Sequence, residues 1–224
     1  MRKFRHIIAF LIFISSPAFL NAQSNEVIAG LRAGHNAVFG GFAAAAIETA
    51  QTFFNDFSLN GGIQYNTIGK TSLEIRPAYE WQFDWGKLRA EALAAYSHLI
   101  SISNFAAGAG THFDFNCITA RIGYYYRLYG GQSSKISEPF NVYYEFCVHF
   151  LRKLEKWLLD LKITNCEIFE LERHYQPSYI AETAYFPTSK MGICFGIGCK
   201  PSGPFNMSAD YYQSFIKTGI CYRW

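Results

Sequence analysis

The sequence predicts an all-β fold, a closed antiparallel transmembrane β-barrel of about 12 strands, with about 10–14 as the range. Apolar and polar residues alternate along repeated segments of about 10 residues, the length that a tilted strand needs to cross a bilayer. The chain of 224 residues is 50% hydrophobic and 18% aromatic. No segment, the N-terminal apolar run included, has the ~18 consecutive apolar residues of a spanning helix.

The predicted strands follow from this alternation with a period of two. In segment 73–82, for example, Leu73 and Ile75 alternate with Glu74 and Arg76. Equally clear alternation predicts strands at 57–66, 118–128 and 140–149. Weaker alternation predicts strands near 26–38, 41–53, 87–99, 104–115, 156–165, 177–186, 189–199 and 213–224.

The N-terminal residues have the pattern of a secretory signal peptide. A basic start, Met1 to His6, precedes the apolar run Ile7 to Ile14, and Ala22 offers a cleavage point. The run is too short for a membrane anchor. We therefore expect residues 1–22 to be a cleaved signal peptide and residues 23–224 to form the barrel domain.

The connections between predicted strands differ in length on the two sides of the barrel. Short turns are expected around Asn55-Asp56, Asp84-Trp85-Gly86, Asn116, Arg152-Lys153 and Pro187-Thr188. Three longer loops, at 129–139, 166–176 and 200–212, all fall on the other side. Short turns at one end and long loops at the other are typical of outer-membrane barrels.

One predicted hairpin gives a specific pairing. A two-residue turn at Asp84-Trp85 would place Glu80 directly opposite Arg89 on the same face of the sheet. Opposite charges in directly opposed positions stabilise an antiparallel pair.

The C-terminal strand carries an apolar row that ends in an aromatic residue. This row consists of Ile216, Thr218, Ile220, Tyr222 and Trp224. It resembles the C-terminal assembly signal of bacterial outer-membrane β-barrel proteins. The resemblance implies an outer-membrane location, reached by export through the cleaved signal peptide, with outer-membrane lipid and the barrel-assembly machinery as partners. We expect this strand to close the barrel against the strand near Val27.

The side chains favour a barrel with an apolar exterior and a polar lumen. Tyrosine and tryptophan lie near strand ends on the apolar rows, where amphipathic rings match the two membrane interfaces. They include Tyr79, Trp81, Tyr124, Tyr126, Trp157, Tyr222 and Trp224. Glycines on the polar rows would give room to long charged side chains in the lumen. A soluble exported β protein, with these faces reversed, is the alternative.

The polar rows predict a charge network in the lumen. Its members are Arg32, Glu74, Arg76, Glu80, Arg89, Glu91, Arg121, Arg127, Glu145 and His149. Because basic and acidic residues are nearly balanced and unpaired buried charge is costly, they should pair with one another. Two interpretations stay open: a salt-bridge network that fills the barrel, or a charged path for small polar solutes.

The function that follows is an integral outer-membrane protein, either a narrow passive pore or a side-chain-filled barrel that presents its loops. A membrane-embedded lipid hydrolase is the alternative, because His98 and Asn104 lie near Ser97, Ser101 and Ser103. No spacing joins these residues into a catalytic site, so we expect no enzyme activity. The net charge of +3 is too small to indicate nucleic acid, and no cofactor is expected.

The cysteines and one acidic loop offer weaker candidates. Six cysteines without a CxxC spacing indicate no zinc motif, and we assign no metal ligands. Cys194 with Cys221, and Cys166 with Cys199, are candidate disulfides because the exported compartment permits them. The loop 167–175, which contains several Glu and one His, is a candidate ligand-binding loop or an ordinary surface loop.

Overall fold

Twelve antiparallel strands close into a single barrel, as the sequence predicts. The computed structural model describes residues 24–37, 40–53, 56–99, 102–130, 140–150, 156–165, 177–201 and 213–224. The strands are β1 (Ser24–Asn36), β2 (Gly40–Phe53), β3 (Phe57–Asn66), β4 (Lys70–Phe83), β5 (Gly86–Leu99), β6 (Ile102–Phe115), β7 (Ile118–Gly130), β8 (Phe140–Phe150), β9 (Trp157–Thr164), β10 (Ser178–Tyr185), β11 (Met191–Lys200) and β12 (Gln213–Arg223). No helix in these ranges is long and apolar enough to cross a membrane.

Closure takes place between the first and last strands. β12 pairs antiparallel with β1, and Val27 lies opposite Tyr222, as expected for the closing strand. β1 pairs with β2 on its other side. The sheet therefore has no free edge, which satisfies the requirement that backbone groups in a bilayer find hydrogen-bond partners within the protein.

The two ends of the barrel differ as the sequence predicts. We call the end where β1 ends and β2 begins the loop end, because the three longest connections, residues 131–139, 165–177 and 201–212, lie there. The opposite end is the turn end. There Asp84 and Trp85 join β4 to β5, and Glu80 lies opposite Arg89, so the predicted hairpin is confirmed. Asn116, with a φ of 52°, makes the turn between β6 and β7, a conformation that asparagine tolerates.

The apolar rows face outward and the polar rows face the lumen. On the apolar rows, Ile193 and Ile220 are 58% and 56% exposed, whereas Tyr125 and Tyr143 on polar rows are 1% and 0% exposed. A soluble barrel would have the reverse distribution. The exterior is that of a barrel in contact with lipid.

Exposed aromatic rings form pairs on the exterior of the turn end. The pairs are Tyr79–Trp81, Phe83–Trp85, Trp157–Tyr185 and Tyr222–Trp224, with centroids 4.9, 5.1, 4.6 and 5.5 Å apart. Rings at this level form the aromatic girdle typical of membrane barrels.

A small packed core lies inside the barrel, against β5 to β8. It consists of Leu93, Ala95, Ala106, Tyr125 and Tyr143. All five side chains project from the wall into the lumen. This part of the barrel is filled by packed side chains, as in small barrels whose interior is a core.

Glycines in the wall allow the ring of Tyr143 to lie flat across neighbouring strands. Tyr143 on β8 is opposite Gly123 on β7, which is opposite Gly110 on β6, which is opposite Glu91 on β5. The Tyr143 hydroxyl donates to Glu91 Oε1 at 2.9 Å. A Cβ added at Gly123 would come within 2.5 Å of the Tyr143 hydroxyl and 2.6 Å of the Ala109 carbonyl oxygen.

We predict that Gly123→Val lowers the free energy of unfolding by about 1–3 kcal/mol or more, the usual cost of overpacking, because a backbone carbonyl cannot move aside. Gly41→Val is the control, since a Cβ at Gly41 meets no atom within 4 Å. Urea-induced unfolding in detergent, followed by tryptophan fluorescence, measures both variants. Equal midpoints for the two would contradict the role of the glycine.

Candidate functional site

The charged side chains predicted to share the lumen lie there in short chains of ion pairs. Glu80 on β4 contacts two cations of β5: its Oε1 lies 2.7 Å from Lys87 Nζ, and its Oε2 lies 2.5 Å from Arg89 Nε. Glu74 contacts Arg76 on the same strand. These pairs follow directly from the strand register and parity.

Arg121 on β7 connects two carboxylates of different strands. Its Nε lies 3.2 Å from Glu91 Oε1, and its Nη1 lies 3.6 Å from Glu145 Oε1. Glu91 is therefore shared between Arg121 and the hydroxyl of Tyr143. Arg121, Glu91, Glu145 and Tyr143 therefore connect β5, β7 and β8 on the side of the lumen that contains the packed core.

The other predicted members of the network have an aromatic ring, a hydroxyl group or a carboxylate as partner. The guanidinium of Arg32 lies 3.5 Å from the ring centroid of Phe215, and Arg127 donates to the Tyr125 hydroxyl at 3.2 Å. His149 Nδ1 lies 2.8 Å from Asp160 Oδ1 on β9. Cation–π contacts of this kind stabilise a guanidinium in a partly dry interior.

The lumen wall formed by β9 to β12 carries an acidic residue between two lysines. Glu182 on β10 contacts Lys162 Nζ at 3.0 Å and also contacts Lys217. Lys217 on β12 reaches Glu182 by passing over Gly196 on β11, where an added Cβ would lie 2.8 Å from Lys217 Cε. This is the role that the sequence predicts for glycine on the polar rows.

Sequence reasoning missed two further lumen groups. Glu26 on β1 accepts from Arg223 Nε at 3.0 Å, and Phe186 lies under the Arg223 guanidinium, 4.0 Å from its centroid. The Phe186 ring lies beside Gly192 on β11, where an added Cβ would come within 2.6 Å of the ring. An aromatic residue facing a glycine on the next polar row was the available signal.

A cavity of about 490 Å³ follows the lumen wall on the side opposite the packed core. Its lining includes Lys70, the first residue of β4 at the loop end, and Arg223, the last residue of β12 at the turn end. Lys162, Glu182 and Lys217 line it between these ends. The cavity therefore extends along the height of the barrel.

A second cavity of about 390 Å³ shares much of this wall. It is lined in part by Glu48, Glu74, Arg76, Arg121 and Lys217. Neither predicted interpretation of the lumen describes the whole barrel. One side is filled by the Tyr125 and Tyr143 core, whereas the side formed by β1 to β4 and β9 to β12 holds space lined by charges, which also reaches Arg121 on β7 and Glu145 on β8.

The residues considered for hydrolysis separate onto two faces of the barrel. His98 Nδ1 lies 2.9 Å from Ser103 Oγ on the outer face. Asn104 is on the inner face, where its Nδ2 donates to Ser97 Oγ at 2.7 Å. Asn104 therefore does not orient His98, and Ser101 lies outside the described residues.

The candidate disulfide between Cys194 and Cys221 is not present, and both residues are free thiols. The Cys221 thiol lies 2.7 Å from Glu26 Oε1 and donates to it. Cys166 and the loop 167–175 lie outside the described residues, as do residues 1–22 and most of the three long loops.

Comparisons with known proteins identify related folds and no family. No protein-family model matches the chain, and no curated protein matches it. A KdgM porin solved in complex with disordered oligogalacturonate has a TM-score of 0.57 and 11% identity, over 87% of this chain and 98% of that one. The NanC porin has a TM-score of 0.56 and 10% identity, over 88% and 98%.

An enzyme barrel is also similar. Outer membrane phospholipase A from Escherichia coli has a TM-score of 0.53 and 9% identity, over 89% of this chain and 92% of that one. At these identities the likeness shows the fold alone. This chain is a closed 12-stranded barrel of the outer-membrane type.

Proposed function

We propose that this chain is an integral outer-membrane β-barrel protein that acts as a narrow passive pore for small polar solutes. The observation that carries this proposal is the cavity of about 490 Å³ whose lining reaches from Lys70 at the loop end to Arg223 at the turn end. Its walls carry both signs of charge, which suits hydrated polar solutes. The likeness to porin barrels supports the same assignment.

The proposed path differs from that of an open porin because one side of the lumen is filled by packed side chains. The Tyr125 and Tyr143 core occupies the lumen against β5 to β8, so the 490 Å³ cavity is lined only by residues of β1 to β4 and β9 to β12 and their adjoining turn. We therefore expect a conductance well below that of open porins of 16–18 strands. Single-channel recording in planar bilayers tests this, and an absence of conductance would exclude the pore.

We predict that Glu182→Gln moves the ion preference of the pore toward anions. The substitution removes the carboxylate between Lys162 and Lys217 and leaves the cavity wall more positive. A unit charge about 4 Å from an ion contributes about 1 kcal/mol even in water, so the permeability ratio should change by about fivefold. Reversal potentials across a salt gradient, at low ionic strength to limit screening, measure the change.

Glu80→Gln is the matched control for this experiment. It removes the same charge from a carboxylate that contacts Lys87 and Arg89 but does not line either cavity. The control should leave the reversal potential close to that of the parent protein. Equal shifts in the two variants would place the conducting path elsewhere.

We further propose that the outward row of β12 is an assembly signal read in the outer membrane. The row is Ile216, Thr218, Ile220, Tyr222 and Trp224, and its last two rings stack with centroids 5.5 Å apart. The resemblance to the signals of outer-membrane barrels supports this role. The same proposal places outer-membrane lipid against the exterior and the barrel-assembly machinery among the partners.

We predict that Trp224→Ala lowers the amount of folded barrel in the outer-membrane fraction several-fold, because the assembly signal loses its terminal ring. Trp157→Ala is the control: Trp157 is 47% exposed and Trp224 is 42% exposed, and each belongs to an aromatic pair at the turn end. The fraction that migrates as folded protein in unheated gels measures assembly. If the folded fraction decreases equally in both variants, the effect is the loss of one aromatic girdle ring, and Trp224 has no special role in an assembly signal.

One observation favours lipid hydrolysis as a second candidate function. His98 and Ser103 are hydrogen-bonded on the lipid-facing surface, and Tyr96 Oη lies 3.4 Å from the same serine oxygen. A serine nucleophile needs a base in this position. No third group that orients His98 occurs among the described residues, so this candidate is weaker than the pore.

If the purified barrel hydrolyses phospholipid, we predict that His98→Ala and Ser103→Ala lower kcat by at least about 100-fold, as expected for removal of a general base or nucleophile. Ser97→Ala should have no effect, because Ser97 faces the lumen and bonds to Asn104. Release of fatty acid from mixed micelles measures the rate. An inactive parent protein rules out the hydrolase.

A further inference from the structure

Three metal-ligating side chains meet on the lumen wall near the turn end. Cys147 and His149 are two residues apart on the inner face of β8, and Asp160 on β9 is directly opposite His149. Their ligand atoms all lie within 4.8 Å of one another. His149 Nδ1 is 2.8 Å from Asp160 Oδ1 and 3.8 Å from Cys147 Sγ.

We propose that Cys147, His149 and Asp160 form a binding site for a zinc-type divalent cation. Thiolate, imidazole and carboxylate are the three protein ligands of Zn²⁺, and three of them with a water complete its tetrahedral shell. Soft sulfur and imidazole donors in one site favour zinc over Mg²⁺ or Ca²⁺.

Two of the three distances between ligand atoms are close to those of a tetrahedral zinc site. Metal–ligand bonds of about 2.0 Å to nitrogen and oxygen and 2.3 Å to sulfur require about 3.3 Å between nitrogen and oxygen and about 3.5 Å between nitrogen and sulfur. The Nδ1 to Oδ1 distance of 2.8 Å and the Nδ1 to Sγ distance of 3.8 Å differ from these by about half an ångström or less. Cys147 Sγ and the Asp160 carboxylate lie within 4.8 Å of each other, so this pair would have to move closer by side-chain rotation when the ion binds.

Thr119 positions the imidazole for this role. His149 Nε2 lies 3.2 Å from Thr119 Oγ1 on the neighbouring strand β7. When Nε2 carries the proton and donates to this hydroxyl, Nδ1 presents its lone pair toward Cys147 and Asp160. Metal-binding histidines are commonly oriented by such a hydrogen bond from the other ring nitrogen.

The lumen gives the ion a route to the site. Asp160 and the adjacent Lys162 both line the cavity of about 490 Å³. Lys162 is opposite Cys147, and its ammonium contacts Glu182 at 3.0 Å, which offsets part of its repulsion of a second cation. A hydrated divalent ion can therefore reach the carboxylate first and then the sulfur.

The test is a Co²⁺ titration of the reduced, metal-free barrel in detergent. Cobalt takes the same tetrahedral sites as zinc, and a bound thiolate gives an intense charge-transfer band in the near ultraviolet. We expect a saturable band at one ion per chain that added Zn²⁺ removes. This readout does not depend on conductance, so the site and the proposed pore succeed or fail separately.

Matched variants locate the ion. Cys147→Ser should abolish the band, and Asp160→Asn should weaken Zn²⁺ affinity by at least about tenfold. Cys221→Ser should leave both unchanged, because Cys221 is also a buried inward thiol beside a carboxylate but has Arg223 in place of a histidine. Thr119→Val should weaken affinity by about 10-fold or more, as expected for loss of an orienting partner.

Other outcomes would overturn the proposal. These are a parent barrel without the band, a Cys147→Ser variant that retains it, or equal loss in Cys221→Ser, which would indicate scattered thiol binding. Asp160→Asn keeps the side-chain volume and decides the question where Cys147→Ser yields too little folded protein. If Asp160→Asn binds Zn²⁺ with unchanged affinity, Asp160 is not a metal ligand and its contact with His149 is only a hydrogen bond.

Discussion

Closure of the hydrogen-bonded sheet between β1 and β12 is the constraint on which the rest of the structure depends. Once the sheet is closed, every second side chain points into a lumen of fixed width. Large inward residues fit only where the neighbouring wall is small. Tyr143 therefore crosses Gly123 and Gly110 to reach Glu91, and Lys217 crosses Gly196 to reach Glu182. The glycines determine which partners can meet across strands.

This packing divides the lumen into two sides with different properties. The tyrosine core and the Arg121 ion pairs hold β5 to β8 together, so that side supplies stability. The other side retains space lined by Glu182, Lys162 and Lys217. Glu182 lies between the two lysines and balances part of their charge, as expected for charged groups in a partly water-filled space. The proposed pore and the proposed metal site both belong to this open side or its border.

The candidate sites differ in how far sequence alone could locate them. Glu80 and Arg89 could be paired in advance because one two-residue turn fixes their register. His149 and Cys147 could be assigned to one face, but Asp160 could not be set opposite them, since the register across the connection 151–156 does not follow from alternation. The outer-face contact of His98 with Ser103 depends in the same way on pairing between β5 and β6. The assignment of Asn104 to the opposite face follows from parity alone.

The sequence by itself determined the approximate strand number, the two faces of most strands and the difference between the barrel ends, because a period of two and the spacing of turns are local properties. It also determined that charge would line the lumen. Only the tertiary structure decided which charges meet, which side of the lumen is filled and where a thiol, an imidazole and a carboxylate converge. Those outcomes depend on register between strands and on side-chain volume in a closed space, and neither is encoded within a single strand.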